Sequence, residues 1–331
     1  MKAANKLLNW CKALVLPVIV WIVFSILTGG RFATWISVMS VFRTAVVPML
    51  IGMTLGFGML MNMWNFAAGA IIYACAIFGA YLAQITGSGI PGLCIFSILT
   101  GLVLCGIMGI LYRFLRVPCL VLSLGMVMII EALPNVLVPN ATGKISLLDG
   151  YLGSSPWCFI ILIGMFGIFY FINTYTTLGA DMRAIGANIK IANSAGVDID
   201  KVKFLSFLLS GFFLGVAGIV YMSTNVSVTA VSGIASVAMI FDGFMGVFVA
   251  LVISKYVNFS ASVIIGTLTI RMLSSGLVAC GFSSEIRGIL TGVFLFGVIT
   301  FSANADIFEK AKARRQMAAE ANMEYEQSAA R

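Results

Sequence analysis

Between Arg43 and Arg113 the chain runs for 69 residues without an Asp, Glu, Lys or Arg. At roughly 20 residues per bilayer crossing, that run has room for three membrane helices. Further charge-free stretches cover 13–30, 150–180, 204–241 and 288–305. The whole chain is 61% hydrophobic and 10% charged, against roughly 25% charged residues in an ordinary soluble domain. This excludes a soluble globular protein, because too few polar side chains exist to clothe it. A membrane β-barrel would alternate apolar and polar positions in segments of about ten residues. The apolar runs here are continuous, so the fold class is an all-α polytopic membrane bundle.

Breaks of Gly, Pro, Asn, Ser and the rare charges divide the runs into ten predicted helices: 13–29, 43–61, 67–85, 92–112, 118–138, 157–174, 204–222, 231–253, 259–279 and 286–304. Placing both termini in the cytoplasm puts fifteen Lys or Arg inside and four outside (Arg31, Arg43, Lys144, Arg287), as the positive-inside tendency requires. Arg271 then falls within a span. A count of eight stays open if two segments are re-entrant, with 43–61 and 231–253 the weakest spans. No small-residue cleavage site follows the first apolar stretch, so it is read as a retained helix. Residues 1–304 make the transmembrane domain, and the charged stretch 305–331 is a cytoplasmic tail. The net charge of +8 marks cytoplasmic loops and needs no nucleic-acid partner; the partner it implies is the lipid bilayer.

Histidine is absent, and the seven cysteines include no C-x-x-C pair. Neither a metal site nor a disulfide framework is indicated, and the commonest general base is missing. The chain is read as a non-enzyme that binds no cofactor of its own.

The one long polar interruption is Tyr175–Lys203. Asp181 near its start, the alanines 184, 187, 192 and 195, and Gly196 as a left-handed stop predict a cytoplasmic helix. A plain connecting loop is the competing reading. Leu178-Gly179, Ala184, Gly186, Asn188, Gly196-Val197 and Lys201-Val202-Lys203 precede Leu209-Ser210-Gly211 and Ala217-Gly218-Ile219-Val220. This series resembles the signature of the permease subunits of bacterial ABC importers, nearest to the ribose, galactose and other simple-sugar permeases. Nucleoside and branched-chain amino acid permeases are more distant relatives. Ile51-Gly52-Met53-Thr54-Leu55 resembles a segment of that family's second helix.

The resemblance implies a multi-pass subunit of the bacterial cytoplasmic membrane that imports a small polar solute, a simple sugar before others. Its implied partners are a second permease subunit, ABC ATPase subunits that use ATP and Mg, and a solute-binding protein outside. The chain has no Gly-x-x-x-x-Gly-Lys-Ser/Thr loop, so ATP work belongs to the partner. By carry-over, Gly179 to Gly196 is the ATPase-coupling element, with Gly179, Asp181, Arg183, Ala184, Gly186, Asn188 and Gly196 as its marked residues. The chain departs from the sugar permeases at Met63-Trp64-Asn65-Phe66-Ala67-Ala68-Gly69, where Asn65 replaces an acid. It also departs over 242–254 and at Ala180. These losses suggest a divergent half of a heterodimer.

An ionisable group inside hydrocarbon costs at least about 2.5 kcal/mol on insertion scales and is a functional candidate by default. Asp242 and Arg271 lie in consecutive spans and are expected to pair, either as scaffold or as part of the pathway. Glu131 is the third such group; near Pro134 and Asn135 in the outer half of the fifth span, it is either a functional candidate or merely interfacial. Asn62, Trp64, Asn65, Ser274 and Ser275 are the candidate pathway residues. Gly52-x-x-x-Gly56, Gly211-x-x-x-Gly215 and the cluster Gly101, Gly106, Gly109 predict close helix packing. Two readings of another class stay open: a stand-alone secondary transporter and a non-transporting structural subunit.

Overall fold

The computed structural model of the protein describes residues 2–283 and 286–300. Helices α1 (Lys2–Leu27), α2 (Trp35–Met59), α3 (Ala68–Thr86), α4 (Gly89–Leu115) and α5 (Cys119–Leu137) are followed by strand β1 (Thr142–Lys144) and helix α6 (Trp157–Tyr175). Then come α7 (Thr177–Ala187), α8 (Ile189–Ser194), α9 (Ile199–Asn225), strand β2 (Ser227–Thr229), α10 (Phe241–Ile253) and α11 (Phe259–Ala279). These elements lie in one compact unit, Met1–Phe282. A shorter apolar helix, α12 (Ile286–Thr300), belongs to a second unit. Among the described residues nine helical segments are long and apolar enough to cross a bilayer. The tenth predicted span, 286–304, is represented by α12; positions 301–304 and the expected tail 305–331 lie outside the described residues.

Caps move three of the predicted boundaries. Helix α2 starts at Trp35 rather than 43 because the Thr34 side chain accepts the Ser37 amide. Arg43 is therefore a helix residue, and its Nε donates to the Gly153 carbonyl at 3.0 Å. Asp198 accepts the Lys201 amide at 3.0 Å, so α9 begins at Ile199 and carries Lys201 and Lys203 on its first turns. The predicted span 231–253 is not one helix. Gly233 and Ile234 take left-handed φ values of 73° and 69°, a 3-10 turn runs over Ala235–Ile240, and only then does α10 begin.

Lipid offers no hydrophobic drive between helices, so packing rests on close backbone approach. Helix α9 shows this. A Cβ at Gly211 would collide with the Gly101 carbonyl oxygen of α4, and one at Gly215 would lie 2.7 Å from Ile98 Cα. A Cβ at Gly218 would lie 2.6 Å from the Cys75 side chain of α3. Phe57 of α2 stands edge-on to Phe169 of α6 and Phe213 of α9, with ring centroids 4.8 and 5.4 Å away. Helices α10 and α11 meet the same way, a Cβ at Gly266 falling on the Gly246 carbonyl. Across one end of the bundle β1 pairs antiparallel with β2, Thr142 opposite Thr229 and Lys144 opposite Ser227.

The two ends differ in charge. Lys144 and Arg31 mark the β1–β2 end, whereas Lys12, Arg113, Arg116, Arg183, Lys190, Lys201, Lys203 and Lys255 gather at the other. By the positive-inside tendency the basic end is cytoplasmic.

Candidate functional site

At the basic end the predicted single cytoplasmic helix is two. Thr176 caps α7 by accepting the Gly179 amide at 3.3 Å, so the cap lies ahead of Asp181, which is half-buried inside the helix. Asn188 ends α7 in an extended conformation, and its Oδ1 accepts the Lys190 and Ile191 amides at 2.9 and 3.2 Å, starting α8. Gly196 closes the segment at φ 84°.

Helix α7 is fastened to three membrane helices. A Cβ at Gly179 would lie 2.5 Å from the Ile172 carbonyl, so only glycine lets α7 fold under the end of α6. Arg183 Nη1 donates to both the carbonyl and the side-chain oxygen of Asn173, which is 3% exposed and passes a 3.1 Å hydrogen bond to Ser260 of α11. Gly186 abuts the Leu60 carbonyl at the end of α2, where a Cβ would fall on the oxygen. Asn62, held at φ 56°, donates to the Gly186 carbonyl at 3.1 Å. Met182 and Ile185 are buried beneath, while Arg183, Ala184, Ala187 and Asn188 stay exposed, with Ile189 and Ile191 of α8 at 45% and 67%.

The link between α2 and α3 runs from this platform into the membrane. Trp64 packs on Phe244 and Phe248 of α10, with centroids 5.2 and 5.3 Å away, and Phe66 adds a third contact to Phe244 at 5.2 Å. Asn65 is 8% exposed; its Oδ1 accepts the Ala67 amide at 3.0 Å, and its Nδ2 is buried without a partner. Ser123 of α5 donates to the Trp64 carbonyl at 3.3 Å. Gly69, at the start of α3, lies so close to the Ser236 carbonyl that a Cβ would overlap it.

Deeper in, Arg271 Nη1 and Asp242 Oδ2 form an ion pair at 3.0 Å, each side chain 27% exposed. Ser274 donates to Asp242 Oδ1 at 3.3 Å, and Arg271 Nε donates to Thr44 of α2 at 3.3 Å, so the pair ties α2, α10 and α11 together. Ser275, its half-buried neighbour on α11, is not part of this set. Glu131, for which the sequence left open a position reached by water, is enclosed by protein. It is 4% exposed, and its two carboxylate oxygens accept the Ile234 amide at 2.9 Å and the Ser236 amide at 2.8 Å. A carboxylate from α5 thus caps the 3-10 turn leading into α10, where the exposed amides and helix dipole favour negative charge.

The five candidate pathway residues therefore fall into three places: Asn62 against α7, Trp64 against α10 with Asn65 buried beside it in the α2–α3 link, and Ser274 and Ser275 on α11. Asn173, Ser260, Ser123, Thr44, Phe244 and Phe248 escaped the sequence reading. Asn173 had a signal, a lone amide closing an apolar run, but nothing in the chain announced its partners.

Residues 37–299 match the family described as branched-chain amino acid transport system / permease component. The chain belongs to this family. It is 28% identical over 210 residues to the probable ABC transporter permease protein YphD of Escherichia coli K12, a match that takes in 60% of this chain and 61% of that relative's length. The autoinducer 2 import system permease protein LsrC of Photorhabdus luminescens is 24% identical over 299 residues, covering 86% of this chain and 87% of its own. A solved ABC transporter chain in an inward-facing conformation overlaps 88% of this chain and 99% of its own length at 18% identity, with a TM-score of 0.46. The protein is thus a multi-pass permease component of the bacterial inner membrane.

Proposed function

We propose that the chain forms part of the translocation pathway of an ATP-driven importer for a small polar solute of the simple-sugar type. Separate ABC ATPase subunits power it, and a solute-binding protein delivers the cargo. The observation that carries this reading is the α7–α8 platform. It is fixed to α2, α6 and α11 through glycine contacts and the Arg183–Asn173–Ser260 chain, while it presents Ile189 and Ile191 outward. Exposed apolar side chains framed by basic ones mark a protein-docking surface. A surface so rigidly joined to membrane helices can turn the movement of a docked ATPase into movement of the spans.

The import direction and solute class draw support from the autoinducer 2 import permeases among the relatives. The interior beside Trp64 adds to this, since Asn65 carries an unused buried amide donor next to aromatic rings, a combination suited to brief contact with a hydroxylated solute. Because Asn65 and its neighbours depart from the sugar-permease motif, we further propose that the second permease subunit is a different chain, giving a heterodimer.

The test is uptake into membrane vesicles containing this chain, its neighbouring ATPase and a second permease. Accumulation of a binding-protein-delivered sugar should require ATP and stop with vanadate. Uptake that persists without the ATPase would instead indicate a secondary transporter. Full uptake by a homodimer of this chain would remove the heterodimer.

A further inference from the structure

A recess of about 360 Å³ opens at the basic end of the bundle. It is walled by Asn9 and Trp10 of α1, Phe166 and Tyr170 of α6, and Tyr256, Asn258 and Ala261 at the start of α11. Its polar residues bring several donors. Asn258 Nδ2 donates to the Tyr170 hydroxyl at 3.4 Å, which leaves the Tyr170 proton free to point into the recess. Asn9, Tyr256 and Trp10, which line it too, carry an amide, a hydroxyl and an indole N–H. Lys12 holds its ammonium 5.7 Å over the Tyr256 ring, and Lys255 is the exposed neighbour of that tyrosine.

Among the described residues no carboxylate pairs with these cations. The chain's first acidic residue is Glu131, and α1, α6, α11 and positions 254–258 contain no Asp or Glu at all. The surroundings are those of the membrane surface. Trp10 and Tyr256 are 39% and 43% exposed, as side chains of an interfacial aromatic belt are. One turn deeper, Leu14 and Ile163 face outward at 44% and 69% exposed, where acyl chains run.

We propose that this recess binds the phosphate headgroup of an anionic phospholipid from the cytoplasmic leaflet, clasping α1 to α6 and α11. Basic pockets between membrane helices on the cytoplasmic side suit such headgroups. A zwitterionic lipid fits poorly, because its own ammonium would meet Lys12 and find no acid among the described residues. This site is independent of the transport reading above.

Native mass spectrometry of the whole chain, released from bilayers of equal phosphatidylglycerol and phosphatidylcholine, tests it. Wild type should retain phosphatidylglycerol preferentially. Each lysine removed should lower the preference about fivefold, the equivalent of the ~1 kcal/mol that a lysine contributes near an anionic surface. Lys12→Gln with Lys255→Gln should thus nearly abolish it. Asn9→Leu fills the recess without changing charge and should also release the lipid. Wild-type preference in either variant overturns the proposal; retention in Asn9→Leu alone would mean diffuse charge rather than a site. In detergent without lipid, inorganic phosphate should not match phosphatidylglycerol in raising thermal stability. If it does, the site serves a soluble anion and the lipid assignment fails.

Discussion

Glu131 offers the sharpest test of how the broken eighth span is held. Its carboxylate accepts two backbone amides, Ile234 at 2.9 Å and Ser236 at 2.8 Å, and Ser236 is fully buried. A hydrogen bond to a charged group contributes about 1.5–3 kcal/mol, and leaving a buried donor unpaired costs about 1–3 kcal/mol. Glu131→Gln keeps one acceptor oxygen but turns an NH2 group toward the other amide, so one bond is lost and one N–H is orphaned. The opening of 234–240 should become easier by about 3 kcal/mol, which at 1.4 kcal/mol per decade is on the order of a hundredfold. Hydrogen exchange of a peptide covering 232–242, in lipid nanodiscs, reads this opening directly. Peptides from the α4–α9 packing should exchange as in wild type, since α5 touches α9 through neither amide. Equal exchange of 232–242 in wild type and Glu131→Gln would refute the capping argument and leave Glu131 a buried acid without an assigned role.

Three further perturbations follow from the geometry. Breaking the ion pair by Asp242→Asn or Arg271→Gln should cost about 2 kcal/mol, seen as lower yield and thermal stability in detergent; the exchange Asp242→Arg with Arg271→Asp should restore assembly if the pair is scaffold. Gly186→Leu puts a side chain onto the Leu60 carbonyl, and should cut ATP-driven uptake at least tenfold while the co-purified ATPase still hydrolyses ATP. Gly211→Leu wedges α9 from the Gly101 backbone and should cost upwards of about 3 kcal/mol, since backbone on the other side cannot move aside. Chromatography of the purified variant should show loss of the monodisperse species.

The sequence made the spans legible because charge in hydrocarbon is costly, so charge-free length maps directly onto helices. It also made the α4–α9 glycines legible, since small residues have one dominant use between membrane helices. Local caps at Thr34, Asp198 and Asn188 shifted boundaries and split one predicted helix, and the larger error came where a cap is supplied from elsewhere in the chain. Nothing near Val231–Ile240 indicates a 3-10 turn, because the group that stabilises its start, Glu131, lies 103 residues before Ile234. The same holds for α7: the glycines at 179 and 186 stood out, but the oxygens they admit belong to Ile172 and Leu60. Asn62 was read with Trp64 and Asn65 by adjacency, and a positive φ at Asn62 turns it away to α7.

These separate contacts tie α10 to three neighbours at once. Its entry is capped by Glu131 of α5, its first turn is paired through Asp242 to Arg271 of α11, and Phe244 and Phe248 enclose Trp64. Trp64 lies two residues beyond Asn62, which bonds α7. Under the proposed function, a displacement of α7 reaches α10 through four residues of backbone, Leu60 to Met63, too short and too packed to absorb it. Met61 and Met63 are buried at 5% and 6% exposed, so the link transmits force instead of flexing in solvent. Under the same proposal, the cap and the ion pair hold the entry of α10, and a push relayed through Trp64 would act on Phe244 and Phe248 beyond that held end.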